Sequence, residues 1–276
     1  MKKTLKAALK GKLSGEEVSL LGRSYDVIGG IAIVEIPDEL SEKEELIGKT
    51  ILEMHRNVKT VAKKVGVHKG VYRAQKLKII AGEKSKEALY RENNVMLKLD
   101  VEKVYFSPRL ATERKRIAQL VKRGERVLIM FSGCGPYPFV ISKNSKAKEV
   151  YGVELNPVAH RYAIQNLKLN KTENVKLVRG NVRKIVPELK KKFDRIAMPL
   201  PKKGENYLDT ALSASKKGTV IHFYDFLIED EIPDLAVGKI KKICRKMKKK
   251  FKILDFTKCG QVSPREYRVC VDFKVL

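Results

Sequence analysis

Two neighbouring runs, Ile129-Met-Phe-Ser-Gly-Cys-Gly-Pro136 and Tyr151-Gly-Val-Glu154-Leu-Asn-Pro157, indicate the architecture of this chain. The apolar part of the first run predicts a buried parallel strand, and Gly133 and Gly135 predict a turn tight enough for the backbone to approach a ligand. The second run predicts the next strand, which ends at Glu154. A carboxylate about 20 residues beyond such glycines can accept both ribose hydroxyls of a nucleotide.

The residues after the glycines indicate which nucleotide would bind. A dinucleotide site needs a third glycine, but Pro136, Tyr137 and Pro138 follow, which is a poor helix opening for a pyrophosphate. The carboxylate of Glu154 favours an unphosphorylated ribose. The pattern therefore argues against NAD and favours S-adenosylmethionine. The alternative is an ordinary strand–turn–helix without a ligand, which the position of Glu154 makes less favoured.

Composition favours a polyanionic partner. The 276 residues can hold one large or two modest domains, and two unequal domains fit best. Lys and Arg number 59 against 32 Asp and Glu, so the net charge is +27. Such a charge attracts nucleic acid, here RNA. A lysine-rich thermophile surface is the alternative, but the carboxylates are too few to balance the lysines in ion-pair networks.

The expected location is the cytoplasm. No apolar run approaches the roughly 20 residues that span a bilayer, and the N-terminus lacks the apolar core of a signal peptide. The four cysteines are scattered without a Cys-x-x-Cys pair, so neither a zinc site nor a disulfide framework is indicated. They are Cys134, Cys244, Cys259 and Cys270. We expect reduced, small core residues.

Hydrophobic periodicity predicts three segments. Residues 1–24 are a basic segment whose spacing predicts one amphipathic helix. Residues 25–100 predict a small α+β domain, with strands around Gly29-Gly30, a helix at about 41–55, and strands at 58–62, 77–81 and 95–100. Residues 101–276 alternate strands and helices, which is typical of a doubly wound parallel α/β sheet. Its predicted strands are 126–131, 150–154, 175–179, 193–198 and 218–223, followed by an antiparallel pair at 251–256 and 267–275.

A longer run extends the interpretation to a family. Val101-Glu-Lys-Val-Tyr-Phe-Ser-Pro-Arg-Leu-Ala-Thr-Glu-Arg114 closely resembles the archaeal and eukaryotic tRNA (guanine-N1)-methyltransferases, which modify the base 3′ to the anticodon, position 37. The resemblance covers nearly the whole chain. It continues through Ser24–Pro37, Asn57–Val61, Tyr72-Arg73, Ile80–Glu83, the glycine loop, Leu167–Asn170 and Ser263–Tyr267. The chain looks like a short form without the additional N-terminal domain of longer members.

The resemblance implies the fold, cofactor and partner. It implies a Rossmann-like class I methyltransferase domain at 101–276 that binds S-adenosylmethionine, preceded by an RNA-binding domain at 25–100. The partner would be the anticodon stem-loop of tRNA, and a monomer is expected. In the family a guanosine is flipped into the site and a carboxylate takes its N1 proton. Glu113 matches that general base, and Arg73 matches the arginine that supports the guanine O6.

The resemblance also assigns the surroundings of the cofactor and the base. By position these residues are Tyr105, Arg109, Arg114, Phe131, Gly133, Gly135, Glu154, Leu155, Asn181, Val182 and Pro199. Without the resemblance to the family, we would interpret Glu113 as a carboxylate on the surface of a helix and Arg73 as an exposed or RNA-facing cation. Arg109 and Glu113 lie four residues apart, on one helical face.

Three positions depart from the family pattern. Ile129 stands where the family has an aspartate, and Asn181 stands where an aspartate approaches the adenine amine. The amide oxygen of Asn181 can still accept that bond. Pro199 replaces the asparagine of an Asn-Leu-Pro motif, and proline cannot donate a hydrogen bond. We therefore expect a variant enzyme with altered base contacts.

Two alternatives stay open. One is the related wybutosine-pathway enzyme, which transfers the aminocarboxypropyl group of the same cofactor; the intact Ser-Pro-Arg-Leu-Ala-Thr-Glu run favours methyl transfer over it. The other is an inactive tRNA-binding relative, suggested by Ile129 and Pro199 together. Among the remaining polar residues, His222 is interpreted as a half-buried strand residue, and Arg265 as an RNA-phosphate contact in a loop.

Overall fold

The computed structural model describes residues 4–22, 24–66 and 70–276, and the chain divides into two units. The first unit comprises Met1–Arg91 and Met96–Pro108, and the second comprises Glu92–Val95 and Arg109–Leu276. None of the helices in the described ranges is long and apolar enough to cross a membrane.

The N-terminal segment forms two short helices, so the expectation of one helix is wrong. They are α1 (Leu5–Leu9) and α2 (Gly15–Leu20). The chain turns between them at Gly11, whose φ is 85°. Ser14 and Glu17 form a capping box that starts α2, which explains why the helix begins anew there. Residues 1–3 and 23 of the predicted helix lie outside the described residues.

Within the described part of the first unit, four strands form a mixed sheet in the order β1-β2-β3-β4. They are β1 (Asp26–Ile28), β2 (Ile31–Val34), β3 (Thr60–Lys64) and β4 (Leu77–Gly82). Strands β2 and β3 are parallel because the helix α3 (Glu44–Met54) connects them. The periodicity predicts these elements correctly. Their apolar faces meet in a core that includes Leu9, Ala32, Leu40, Ile47, Ile51 and Val61.

A hairpin follows, of which only the second strand is predicted by the sequence. Its strands are β5 (Glu87–Glu92) and β6 (Val95–Asp100). Asn93 and Asn94 both have positive φ, 41° and 64°, as a two-residue hairpin turn requires. Asparagine tolerates that conformation better than other non-glycine residues. Because β5 contains several charged residues, its alternation of buried and exposed side chains is not evident from the sequence, which predicts a charged turn there.

The second unit, described throughout, contains a seven-stranded sheet in the order β12-β13-β11-β10-β7-β8-β9. The strands are β7 (Arg126–Met130), β8 (Glu149–Glu154), β9 (Val175–Arg179), β10 (Phe193–Met198), β11 (Ser215–Ile228), β12 (Phe251–Ser263) and β13 (Glu266–Val275). Strands β7 to β11 are parallel, and β13 lies antiparallel between β11 and β12. This confirms the doubly wound α/β sheet with an antiparallel final pair.

Helices of the second unit alternate with its strands. They are α4 (Ala111–Leu120), α5 (Pro136–Asn144), α6 (Pro157–Asn170), α7 (Val182–Glu188), α8 (Leu208–Ser213) and α9 (Asp234–Lys246). The core between sheet and helices is apolar and closed, with Phe193, Ile196, Ile221, Phe223 and Phe273 fully buried. All four cysteines are free thiols, and Cys134, Cys244 and Cys270 are buried. Cys259 is only half-buried.

The strands β11 and β12 run further than the sequence predicts. β11 continues to Ile228 because it pairs with β13 along that length. β12 continues to Ser263 at one edge of the sheet, and its pairing with β13 has three register irregularities. Arg265 lies in the turn that follows, where its guanidinium contacts Asp230 at 2.6 Å. A role of Arg265 in RNA binding stays a prediction.

Candidate active site

The glycine turn that follows β7 has a strained, tightly packed backbone. Phe131, Gly133 and Gly135 all have positive φ, 59°, 57° and 92°. A Cβ atom at Gly135 would lie 2.2 Å from the ring of Phe139, so no other residue fits there without rearrangement. Gly135 precedes α5, whose first residue is Pro136. Proline lacks a backbone N–H, but at this position an N–H would have no partner within the helix. The turn is therefore fixed in shape before any ligand arrives.

Glu154 lies beside this turn, at the carboxyl end of β8. Its Oε2 accepts a hydrogen bond from the Gly133 N–H at 2.7 Å, and its Oε1 accepts one from the Asn156 N–H at 2.7 Å. Burial raises the pKa of Glu154, although these backbone bonds oppose the shift. The carboxylate is half-buried, and each of its oxygens can accept a second bond. An anchored acceptor pair of this kind fits the two hydroxyls of a ribose.

The other predicted cofactor residues of the second unit follow the ends of neighbouring parallel strands. Phe131 follows β7, Leu155 follows β8, Asn181 follows β9 and Pro199 follows β10. Carboxyl ends of parallel strands share one edge, where ligands of open α/β sheets bind. The structure thus brings these residues to a single edge. Their role in cofactor binding stays a prediction.

Local contacts position three of these side chains. The ring of Phe131 packs edge-on against Tyr207, with ring centres 5.0 Å apart. Asn181 caps α7 by accepting from the Arg183 N–H at 2.9 Å, and Val182 is buried beneath the cap. Because the Asn181 oxygen already caps the helix, it is held in a fixed orientation at the strand edge.

We expect Glu154→Gln to weaken binding of S-adenosylmethionine by about 10- to 100-fold, since charge-assisted hydrogen bonds contribute about 1.5–3 kcal/mol. Because burial raises the pKa of Glu154, the wild-type affinity should fall on acidification at a higher pH than for an ordinary glutamate. Calorimetric titration with the cofactor measures both effects. Glu149→Gln, at the opposite end of the same strand, is the matched control. Equal affinities for Glu154→Gln and the control would contradict this role.

Arg73 and Tyr105 meet within the first unit, although 32 positions separate them in the sequence. The Arg73 guanidinium lies over the Tyr105 ring, 4.3 Å from its centre. Both line a cavity of about 120 Å³ that also includes Lys64, Gln75 and Ser107. A guanidinium stacked on a ring is planar and carries its N–H donors in the plane, which is the geometry that a base edge requires. The geometry is compatible with the predicted role of Arg73.

Glu113 is a buried carboxylate, in contrast to the surface residue that its helix position alone would suggest. Its side chain is 3% exposed. It accepts bonds from Arg116 Nε at 2.7 Å and Nη2 at 2.8 Å, and from the Tyr224 hydroxyl at 2.6 Å. The Tyr224 hydroxyl in turn accepts from Tyr137 at 3.2 Å. These donors hold the Glu113 carboxylate in one orientation.

The two arginines beside Glu113 in the sequence have different environments. Arg109 is exposed in the 3-10 turn that precedes α4. Arg114 is 2% exposed, and its Nε and Nη2 donate to the two oxygens of Glu92, each at 2.5 Å. This bidentate pair joins α4 to the last residue of β5, within the second unit. A direct contact of either arginine with the cofactor stays a prediction.

A series of hydrogen bonds between buried and half-buried side chains extends from Arg116 to Arg195. The guanidinium of Arg116 reaches Asp272 at 2.7 Å, the Asp272 carboxylate contacts His222 Nδ1 at 2.6 Å, and His222 Nε2 contacts Arg195 at 2.8 Å. Arg195 also binds Glu125 at 2.8 Å. His222 is fully buried, so its interpretation as a half-buried residue is wrong, although it does lie in a strand.

In this cluster, ligand atoms of His222, Cys270 and Asp272 lie within 4.8 Å of one another. A metal ion there would face two guanidinium groups, because Arg195 donates to His222 and Arg116 donates to Asp272. Both arginines carry permanent charges and no acceptor. The cluster is therefore suited to hydrogen bonding and poorly suited to a cation.

Sequence reasoning missed Arg116, Asp272 and Arg195 as members of the site's surroundings. A usable signal exists for the latter two, since each is a charged residue within an apolar strand, in Val271-Asp272-Phe273 and Arg195-Ile-Ala-Met198. Charged residues are almost never buried unless paired, so such positions indicate a buried partner. The identity of the partner depends on the fold.

Comparison with known proteins identifies relatives over the whole chain. Residues 88–254 match the TRM5/TYW2 methyltransferase domain, and residues 5–85 match the TYW2 N-terminal domain. The chain is 42% identical over 255 residues to the tRNA (guanine(37)-N(1))-methyltransferase Trm5b of Pyrococcus abyssi, covering 92% of this chain and 76% of the relative. The crystal structure of that Trm5b superimposes with a TM-score of 0.87, covering 95% of this chain and 78% of the other.

Two further structures are similar. A complex of aTrm5 and tRNALeu has a TM-score of 0.86 at 32% identity, with 100% of this chain and 79% of that chain covered. Methanocaldococcus jannaschii TYW2 in complex with AdoMet has a TM-score of 0.68 at 25% identity, with 92% of this chain and 100% of that chain covered.

Proposed function

We propose, because this chain belongs to the TRM5/TYW2 methyltransferase family, that it transfers a methyl group from S-adenosylmethionine to N1 of guanosine 37 in tRNA. The observation that carries the proposal is the Glu113 carboxylate, which is buried and held by Arg116 and Tyr224. A general base must be fixed within reach of the proton that it takes. Glu113 has the fixed orientation that this role requires.

When bound, S-adenosylmethionine would supply an electrophilic methyl carbon to the guanine N1, with its thioether as the leaving group. The N1 proton passes to Glu113. Arg73 donates to the guanine O6, where negative charge develops as N1 loses its proton. Glu154 orients the cofactor through the ribose hydroxyls.

Charge supports tRNA as the substrate. The net charge of +27 supplies a salt-sensitive, sequence-independent part of the affinity for phosphates. The selection of one base then depends on contacts to its edge, which phosphate binding cannot provide. We propose that the enzyme acts on tRNA as a monomer in the cytoplasm.

Aminocarboxypropyl transfer is the second candidate. The tRNA(Phe) (4-demethylwyosine(37)-C(7)) aminocarboxypropyltransferase of Methanocaldococcus jannaschii is 32% identical to this chain over 258 residues, whereas Trm5b of Pyrococcus abyssi is 42% identical over 255 residues. The higher identity favours methyl transfer. A tRNA-binding relative without activity is the third candidate, since Pro199 cannot donate to a base.

The test is nucleoside mass spectrometry of tRNA transcripts incubated with the protein and S-adenosylmethionine. We expect 1-methylguanosine from a transcript with guanosine at position 37 and no methylated product from the matched transcript with adenosine there. An aminocarboxypropyl nucleoside would overturn the proposal in favour of the second candidate. Tight tRNA binding without any product would favour the third.

A further inference from the structure

The guanidinium of Arg116 lies between two carboxylates and binds one with each edge. Its Nε and Nη2 donate to Glu113 at 2.7 and 2.8 Å. Its Nη1 and Nη2 donate to Asp272 at 2.7 and 3.4 Å. Burial lowers the pKa of Arg116, but its bonds to the two carboxylates outweigh burial and raise it overall. One permanent positive charge is thus shared between two negative charges.

The protonation of His222 follows from its neighbours. Arginine can only donate, so the His222 Nε2 that contacts Arg195 must be an acceptor. The proton of the neutral ring is therefore on Nδ1, which donates to Asp272 at 2.6 Å. His222 and Asp272 are directly opposite each other on β11 and β13. Asp272 is consequently held in place by the sheet and by the imidazole.

The charges of the hydrogen-bonded groups from Glu125 to Glu113 do not cancel. Two guanidinium groups face three carboxylates, and the imidazole between them is neutral. The members are Glu125, Arg195, His222, Asp272, Arg116 and Glu113. One negative charge is in excess. Protonation of one carboxylate would bring the net charge of these six groups to zero.

Other groups that face Glu113 add little charge. Tyr137 of α5, Tyr224 of β11, Cys259 of β12 and Cys270 of β13 surround it, and burial first, then negative charges that include Glu113, raise the pKa of each. They are therefore neutral donors. On α4 itself, the charge of Arg114 is compensated by the bidentate contact with Glu92.

We propose that Asp272 is a positioning residue for Glu113. Asp272 takes part of the charge of Arg116 and thereby leaves the Glu113 carboxylate able to accept a proton. This inference rests on the proposed function, in which Glu113 is the general base. An arginine facing one carboxylate alone strongly favours its ionised form, which makes a weak base. The second carboxylate reduces that effect, while Arg116 still fixes the orientation of Glu113.

The test measures the titration of Glu113 directly. Carboxyl-¹³C glutamate is incorporated, the Glu113 resonance is assigned by its loss in Glu113→Gln, and its midpoint is followed by NMR without tRNA. In Asp272→Asn we expect the midpoint to move down by about one pH unit or more, because Arg116 then faces Glu113 alone. In Arg116→Gln we expect it to move up, because two carboxylates lose their shared cation. The acidic limb of the single-turnover methylation rate should move in the same directions.

Opposite shifts in the two variants are a result that simple loss of packing does not produce. Asp194→Asn, a carboxylate at the amino end of β10 that binds Lys216 and the Arg126 N–H, is the matched control and should leave the midpoint unchanged. An unchanged midpoint in Asp272→Asn, or a shift of both variants in the same direction, would overturn the inference. If Asp272→Asn does not fold, Asp272→Ser, which also removes the carboxylate, is titrated in its place. Absence of methylated tRNA with the wild type would instead count against the proposed function, while the NMR titration still tests the charge sharing.

Discussion

Glu113→Gln is expected to reduce the rate of methyl transfer to guanosine 37 by about 10²- to 10⁴-fold, the usual contribution of a positioned general base. Glutamine keeps the volume of the side chain, and its single oxygen can accept from the Tyr224 hydroxyl and from Arg116 Nη2, whereas the bond from Arg116 Nε is lost. Glutamine cannot take the N1 proton at neutral pH. The rate is measured in single turnover with saturating enzyme, so that slow product release does not hide the chemical step.

Binding measurements separate a chemical loss from a structural one. Glu113→Gln should bind S-adenosylmethionine and tRNA as the wild type does, because neither affinity requires proton transfer. Glu188→Gln, at the end of α7, is a control glutamate that should retain full activity. A Glu113→Gln variant that methylates tRNA within a few-fold of the wild-type rate would exclude Glu113 as the base.

Arg114→Met is expected to lower the free energy of unfolding by about 3–5 kcal/mol, because it leaves the Glu92 carboxylate buried without its partner. The side chains of both residues are only 2–3% exposed, so water cannot replace the lost donors. Chemical denaturation of the variant measures the loss. Arg265→Met, which breaks the exposed contact with Asp230, should cost less than about 1 kcal/mol.

A double variant distinguishes the cost of an unpaired charge from the contribution of the pair. Arg114→Met combined with Glu92→Leu removes both charges and fills the space with apolar atoms. Replacing a whole buried ion pair in this way is often close to neutral. We expect the double variant to recover most of the stability that either single variant loses. Additive losses would show that the pair itself stabilises the fold.

The sequence predicts the architecture well where a single physical signal dominates. The strand at 126–131 is predicted correctly, because a strand buried on both faces contains few polar residues. The strand β5 is missed, since Glu87, Arg91 and Glu92 make it resemble a turn. Its position is set by hairpin pairing through Asn93-Asn94, a tertiary effect that local composition does not reveal.

For the candidate site, residues near each other in the sequence are easier to predict than residues that meet through the fold. Gly133, Gly135 and Glu154 follow from one strand–turn–strand pattern. Arg116 on α4 and Asp272 on β13 are separated by 156 positions, and only the tertiary fold brings them together. The burial of Glu113 depends on this same packing, which no periodicity of α4 shows.

The irregular pairing of β12 with β13 has a consequence for self-association. An edge strand with a regular row of unpaired amides can add the strand of a neighbouring molecule and so nucleate fibres. Along β12, shifts at Ile253/Asp255, Lys258/Gly260 and Gln261/Ser263 interrupt that row, although Leu254 and Phe256 are exposed. The charged Lys252 adds repulsion between copies. The irregular backbone of β12 thus disfavours growth of an intermolecular sheet from this edge.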